Sequence, residues 1–233
     1  MVKFLENQNF RDVFYRDFTG FLDFLNFPKA VVEVLTLNIG GQDDYEFLEK
    51  IEKIRNLKIQ SLILNVRSSE DVAKFLKATS SQFLRKLKIG NSESKELKIE
   101  EFEDLEQWKS LEEIEIRGFF VRDPRKILDF SNFSKVEVEV QKLTADMVRD
   151  LKETFRSSIS YKSCKLNYIY MHQNQESIFG ALGVSPDQEV ARRRWFWKTS
   201  DPEKLLLIEY NRTCILFETI GLEDFPENAV VIE

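Results

Sequence analysis

The chain has 233 residues, a formal net charge of −6, eight glycines, five prolines and a single histidine, His172. Its hydrophobic share of 42% and charged share of 32% are typical of a globular protein, which excludes a disordered or collagen-like chain. The acidic balance argues against general nucleic-acid binding, which requires a basic surface. With one imidazole and no nucleotide-binding or metalloprotease motif, we expect no enzyme activity, no metal site and no cofactor.

The cysteines and the first residues predict the compartment. Cys164 and Cys214 lie far apart and suggest no disulfide framework, which is typical of a reducing environment. The chain contains no apolar run of about 18 residues, the minimum for a membrane span. Its first residues are too polar for a signal peptide. We therefore expect a cytoplasmic protein, possible also in the nucleus, with no membrane contact.

The N-terminal segment is rich in phenylalanine. Apolar residues between positions 9 and 25 recur near helical spacing, and Pro28 follows them. This pattern predicts an amphipathic helix that ends before Pro28. We expect residues 1–28 to form a helical cap, because the first unit of a repeat array would otherwise expose its core.

Short strands with alternating apolar residues recur through the centre of the chain, at intervals of roughly 24 to 28 residues. They cover residues 34–39, 62–66, 87–89, 114–116, 136–140 and 165–168. Helical patterns lie between them, and self-similarity at this period is typical of leucine-rich repeats. We predict an α/β fold over residues 29–170, a leucine-rich-repeat-like solenoid of about six strand–helix units with a parallel sheet.

The helical patterns have recognisable starts. Asp43 or Asp44 is a possible N-cap, Thr144 is another, residues 68–71 form a further helix start, and Pro124 suits the first turn of a helix. A shorter pattern spans Phe102–Trp108. Each helix should cover the inward face of the strand before it.

The pattern changes in residues 171–233. Residues 175–182 predict a helix, and residues 193–198, 205–210 and 214–217 predict three strands separated by turn-like segments. Strands this close in sequence are typical of an antiparallel meander, which we expect to close the far end of the same domain.

Strand alternation assigns the side chains to two faces. The outward-facing set is polar or charged and forms the candidate partner-binding surface. Its members are Thr36, Asn38, Ile63, Asn65, Lys86, Lys88, Glu113, Glu115, Arg117, Glu137 and Glu139. Along the chain this set is first neutral, then basic, then acidic. Two interpretations stay open: the charges keep an open sheet soluble, or they form a charge-graded docking groove.

Two further segments carry competing interpretations. Phe119 and Phe120 follow a strand and are predicted to lie on a loop, either tucked under the next helix or exposed as a partner anchor. Residues 192–198 mix arginine with tryptophan, as single-stranded nucleic-acid platforms do, although a strand with buried aromatic residues explains the same pattern. His172 lies in a polar stretch without neighbouring ligand residues.

Several segments together resemble the FTH domain, the F-box-associated domain expanded in Caenorhabditis nematodes. The resemblance is carried by residues 17–25, Lys29 and residues 34–38, 58–64, 73–76, 111–114 and 194–198, and by the strand at 205–209 after an Asp-Pro turn. It extends over about residues 15 to 220 and consists of hydrophobic patterns.

The resemblance implies a non-enzymatic protein-binding module. In F-box proteins of this family an F-box contacts a Skp1-type adaptor of a ubiquitin ligase, and the FTH region is expected to bind the client. No F-box pattern precedes residue 15. The sequence is therefore expected to be a domain of a longer F-box protein or an F-box-less relative, with adaptor binding only through an F-box outside it.

A second function follows from the same resemblance. The family takes its name from a factor in germline sex determination. The chain could therefore be an adaptor in translational regulation that binds an RNA-binding protein or, less readily, RNA itself.

Overall fold

The computed structural model describes residues 2–6, 9–13, 31–39, 44–128, 133–158, 161–170, 175–183, 193–227 and 229–232. The chain divides into two compact units, Met1–Phe119 (unit 1) and Phe120–Glu233 (unit 2). Each unit combines strands with helices. The mixed α/β class and the presence of parallel strands are therefore confirmed, whereas the solenoid arrangement stays a prediction.

Unit 1 contains a parallel sheet extended by a hairpin. Its strands lie in the order β2-β1-β3-β4-β5-β6, in which β3, β4 and β5 are parallel and β1 is antiparallel to both neighbours. The elements are β1 (Val2–Glu6), β2 (Asn9–Val13), β3 (Val32–Asn38), α1 (Asp44–Ile51), β4 (Ile59–Asn65), α2 (Ser69–Ala78), β5 (Lys86–Glu96), a 3₁₀ turn (Ile99–Glu101), α3 (Glu106–Lys109) and β6 (Glu113–Val121).

The core of unit 1 lies between the strands and the helices that connect them. The predicted inward residues of β3 to β6 are buried, and each such leucine or isoleucine contributes about 1.5–3 kcal/mol to folding. Phe47 of α1 and Phe75 of α2 pack with ring centroids 6.2 Å apart. Ser68 caps α2, because its hydroxyl accepts a hydrogen bond from the Asp71 amide.

Two helix predictions in unit 1 need correction. Residues 9–13, predicted as the start of a helical cap, form β2 of a hairpin, because β1 pairs with both β2 and β3 and this pairing outweighs helical spacing. Residues 14–28 of the predicted cap lie outside the described residues. The helix expected over Phe102–Trp108 is limited to α3, because Leu105 adopts an extended conformation (φ −70°, ψ 135°).

Unit 2 combines a parallel strand pair with the predicted meander. Its strands lie in the order β7-β8-β11-β10-β9-β12, with β7 parallel to β8, β12 parallel to β9 and the other pairs antiparallel. The elements are α4 (Arg125–Leu128), β7 (Lys135–Lys142), α5 (Ala145–Ser157), β8 (Ser163–Tyr170), α6 (Gln175–Leu182), β9 (Arg193–Lys198), β10 (Lys204–Tyr210), β11 (Cys214–Gly221), a 3₁₀ turn (Leu222–Asp224) and β12 (Val231–Ile232). The helix at 175–182 and the three predicted strands are confirmed.

Aromatic side chains dominate the core of unit 2. Phe155 of α5 stacks on Phe217 of β11 with ring centroids 5.4 Å apart. The Lys152 ammonium lies 4.1 Å from the centre of the Trp197 ring, a cation–π contact that offsets the cost of burying its charge. Thr144 caps α5 as predicted, because its hydroxyl accepts a hydrogen bond from the Met147 amide.

A glycine shifts the face alternation of β6. Ile114 and Ile116 are buried, but after Gly118 the buried positions become Phe119 and Val121. Gly118 has φ +69°, in the left-handed region that glycine adopts without strain, as in glycine-containing β-bulges. This change of face places the side chain of Phe119 in the core.

We predict that Gly118→Ala destabilises the protein. Alanine there combines a left-handed φ with a Cβ that overlaps the Asn91 carbonyl, so the free energy of unfolding should fall by about 1–3 kcal/mol or more. Gly180→Ala is the matched control, because its Cβ enters open space in α6 and should be neutral or stabilise by up to about 1 kcal/mol. Urea unfolding followed by circular dichroism measures both, and equal effects would contradict the role given to Gly118.

Candidate functional site

The outward side chains of β3 to β6 form one surface of unit 1, here called the outer face. None of them is fully buried. They are Thr36, Asn38, Ile63, Asn65, Lys86, Lys88, Glu113, Glu115 and Arg117. Strand register aligns Thr36, Ile63 and Lys88 in one row, and Asn38, Asn65 and Gly90 in the next. Residues predicted from alternation alone therefore lie side by side on neighbouring strands.

The charged half of the outer face consists of ion pairs. The Lys86 ammonium lies 2.8 Å from a carboxylate oxygen of Glu113, and the Lys88 ammonium lies 2.6 Å from Glu115. Glu115 also contacts the Arg117 guanidinium at 2.8 Å. The predicted basic and acidic stripes are present on β5 and β6, but each cation largely neutralises the anion beside it.

The neutral half ends in a groove lined by amides. The Asn65 side chain donates a hydrogen bond to the Asn38 side-chain oxygen, and a Cβ at position 90 would overlap the Asn65 amide. Asn91 donates to the Val66 carbonyl at 2.9 Å. The groove has a volume of about 630 Å³ and also contains Arg67. It lies where β3 and β4 end and beside residues 91–93 in the middle of β5, and the carboxyl ends of parallel strands are a common ligand position.

The groove contains residues that sequence reasoning did not select. Asn91 lies 26 positions after Asn65, which itself lies 27 positions after Asn38. This recurrence of asparagine at the repeat interval was the available signal. Gly90 could not have been selected, because its role depends on the position of the Asn65 amide across the strand pair.

The remaining two residues of the predicted set lie in unit 2. Glu137 accepts hydrogen bonds from the Lys165 ammonium at 3.2 Å and from the Asn167 amide at 3.3 Å, and its side chain is 16% exposed. Glu139 is half-buried on the same strand, β7. They therefore belong to a different compact unit from the outer face.

The prediction that Phe119 and Phe120 lie on a loop is wrong. Both belong to β6, and Phe119 is buried while Phe120 is half-buried. The cause is Gly118, where the alternation of buried and outward residues changes phase. Because of this change, the sequence pattern did not reveal that the strand continues to Val121. Phe119 is therefore a core residue and not an exposed anchor.

The aromatic residues of β9 do not form an open stacking platform. Trp195, Phe196 and Trp197 are all buried, and the Trp195 indole donates to the Gly183 carbonyl at 3.0 Å. The Arg194 guanidinium pairs with Glu209 at 2.9 Å. The interpretation of residues 193–198 as a strand with buried aromatic residues is confirmed, while Arg192 lies outside the described residues.

The remaining candidates for a functional role are a cysteine, possible metal ligands, the histidine and membrane-spanning helices. Burial raises the pKa of the Cys164 thiol, which is packed in the core of unit 2. Among the described residues, no group of three or more His, Cys, Asp or Glu is placed to hold a metal ion. His172 lies outside those residues. Within the same ranges, no helix combines the length and the apolar character needed to cross a membrane.

The fold and the outer face define a mixed α/β domain that presents a polar sheet surface. The family model for the FTH domain matches residues 45–182, which is more than half of the chain. The chain therefore belongs to the FTH-domain family. No curated protein sequence matches it.

We predict that the Lys86–Glu113 ion pair contributes little to stability. Both side chains are substantially exposed, so water screens their attraction. A double-mutant cycle with Lys86→Met and Glu113→Gln should give a coupling energy of about 0.2–1 kcal/mol that shrinks in high salt. Thermal and urea unfolding of the four proteins measure it, and a coupling well above this range would mean that the pair is a structural element.

Proposed function

We propose that the chain is a non-catalytic protein-interaction module whose partner binds the outer face of unit 1. The proposal rests on one observation: rows of amides and paired charges lie in strand register and remain accessible. Their alignment gives a partner hydrogen-bonding groups at regular spacing, and the FTH family supports an interaction role.

The chemistry of the outer face favours an extended segment of another protein. Asparagine amides carry a donor and an acceptor that match those of a peptide group. Ile63, half-exposed between Thr36 and Lys88, adds an apolar contact within the polar row. Ion pairs at the other end of the face provide specificity rather than affinity, because a partner with mismatched charges would separate them.

The family resemblance supports a more specific role. In this proposal the chain recruits the client of an F-box-type ubiquitin ligase receptor, and a Skp1-type adaptor is contacted only through an F-box outside the chain. The proposal includes no enzyme activity and no cofactor, and it places the module in the cytoplasm or nucleus. The alternative role is an adaptor that holds an RNA-binding protein in germline translational regulation.

We predict that reversing four charges together preserves the fold and abolishes partner capture. Lys86→Glu and Lys88→Glu combined with Glu113→Lys and Glu115→Lys keep two opposite-charge pairs but invert their order across the strands, and they also remove the contact between Glu115 and Arg117. The melting temperature should change little, because exposed pairs contribute about 0–1 kcal/mol each. Affinity purification with wild-type and variant baits, followed by mass spectrometry, identifies the proteins that only the wild type captures.

A matched control separates local charge order from general surface charge. Glu46→Lys with Lys50→Glu swaps a pair on helix α1, whose atoms are 2.8 Å apart, and should leave capture unchanged. If the four-residue variant captures the same partners as the wild type, the outer face is not the interface.

The client and adaptor roles differ in the fate of the captured partner. We predict that depleting the chain lengthens the partner's half-life and that a proteasome inhibitor removes this difference. A partner whose half-life is unchanged but whose bound mRNAs are translated differently would instead support the adaptor role. Binding of the purified chain to single-stranded RNA at low salt would indicate direct recognition, which the buried Trp195 and Trp197 argue against.

A further inference from the structure

Strand β5 of unit 1 continues beyond the end of its neighbour β4. The parallel pairing of the two strands ends at Asn65 and Gly90, whereas β5 continues for six residues more, to Glu96. The Val66 amide still donates to the Gly90 carbonyl at 3.0 Å, and the chain then leaves the sheet to begin α2, whose N-cap is Ser68. Among the described residues, no strand therefore pairs with the β4 side of β5 beyond Gly90.

A side chain takes the place of the next hydrogen bond between β4 and β5. In a continued parallel ladder, the Val66 carbonyl would accept a bond from the Ser92 amide. It accepts instead from the Asn91 side-chain amide, at 2.9 Å, and the Asn91 side-chain oxygen accepts from the Glu93 amide at 2.6 Å. Strand alternation places the N–H and C=O of Ser92 on the same edge as those of Gly90, so this edge faces away from β6 and has no β4 backbone beside it.

The groove at the ends of β3 and β4 lies along this edge. Residues 91–93 line it from β5, and residues 65–67 line it from the end of β4. The side chains of residues 92–95 are all exposed. Ser94 adopts a left-handed φ of +42°, a conformation that costs a residue with a side chain about 1–3 kcal/mol and is concentrated at functional sites. This change of direction limits the edge beside the groove to the residues before Ser94.

The charges of the groove do not select a partner. Arg67 is the one cation among its lining residues and Glu93 is the one carboxylate, which pairs with Lys95 at 2.5 Å. A single arginine lacks the row of positive charges that a phosphate chain requires, which disfavours nucleic acid. The groove instead offers backbone groups of β5 and the side-chain amides of Asn38 and Asn65, which match the donor and acceptor of a peptide group.

We propose that the edge of β5 at Ser92 binds an extended segment of another protein by strand addition. The segment lies in the groove in line with β4, and its backbone pairs with the N–H and C=O of Ser92. Its neighbouring peptide groups bind the amides of Asn38 and Asn65. Unpaired strand edges bind partners in this way, and main-chain hydrogen bonds then supply the affinity. The inference rests on the proposed function, because it specifies how an extended segment is held at one end of the outer face.

Synthetic peptides test whether backbone hydrogen bonds hold the segment. The probe is a fluorescein-labelled peptide of alternating threonine and valine with a lysine at each end, since β-branched residues favour an extended backbone. Methylating every second backbone nitrogen leaves one edge of the peptide able to pair, whereas methylating every nitrogen blocks both edges. In fluorescence anisotropy with the full chain, the half-methylated peptide should keep the Kd of the unmethylated one within about threefold. The fully methylated peptide should bind at least about tenfold more weakly.

Two variants of one residue test the site on the protein. Ser92→Pro removes the backbone N–H and places a ring on the edge, so the unmethylated peptide should bind at least about tenfold more weakly. Ser92→Ala is the matched control, because it removes only an exposed hydroxyl and should leave the Kd unchanged. Proline is tolerated on strand edges, and the melting temperature of both variants checks that they fold. If Ser92→Pro does not fold, the methylated peptides decide with the wild-type chain.

Several outcomes would overturn the proposal. They are undetectable binding of the unmethylated peptide, equal binding of all three peptides, and equal binding to the wild type and to a folded Ser92→Pro variant. A dimer in sedimentation experiments that Ser92→Pro, but not Ser92→Ala, converts to a monomer would assign the edge to a second copy of the chain. If the four-residue charge reversal abolishes partner capture while Ser92→Pro changes neither capture nor peptide binding, this inference fails and the proposed function stands. If the reversal leaves capture unchanged while the peptides bind as expected, the proposed function fails instead.

Discussion

The structure of unit 1 depends on the pairing of parallel strands, each of which begins at the same end of the sheet as the strand before it. A parallel strand must be preceded by a crossover, and here the crossovers containing α1 and α2 separate β3, β4 and β5. Because the strands pair in matching register, residues one repeat apart become neighbours, as Thr36, Ile63 and Lys88 do. One face of each strand is occupied by leucine and isoleucine under the helices, so the composition of the other face is free to vary.

The same regularity explains what could be predicted from the sequence. Alternation identified the buried leucines of β3 to β5 and the outward asparagines and lysines, because each side chain's face depends only on its position along a strand. The hairpin β1–β2 was missed, since its formation depends on pairing with β3, which has no local signature. Phe119 was misplaced because a single left-handed glycine changes the face without changing the hydrophobic composition. The burial of Trp195 and Trp197 was one of two open interpretations, and only packing against helices could decide between them.

Contacts between side chains on neighbouring strands could not be predicted from the sequence pattern of each strand alone. The sequence indicated a basic strand followed by an acidic one, which suggested separate stripes of charge. Adjacent placement of Lys86 beside Glu113 and Lys88 beside Glu115 converts the stripes into pairs. Likewise, the glycine at position 90 is informative only once the Asn65 amide is known to occupy the space beside it. Predicting such contacts requires knowledge of the register between two strands, and the composition of each strand does not determine that register.

The paired charges of β5 and β6 have a consequence for the way a partner would approach. A row of adjacent opposite charges forms small dipoles whose potential decays within a few ångströms, well short of a Debye length of about 8 Å in physiological salt. Such a surface exerts little electrostatic steering at a distance, so association with it would proceed at the unsteered rate of about 10⁵–10⁶ M⁻¹ s⁻¹. Discrimination between partners would then occur after collision, in the lifetime of the complex, when each pair either stays matched or is forced apart.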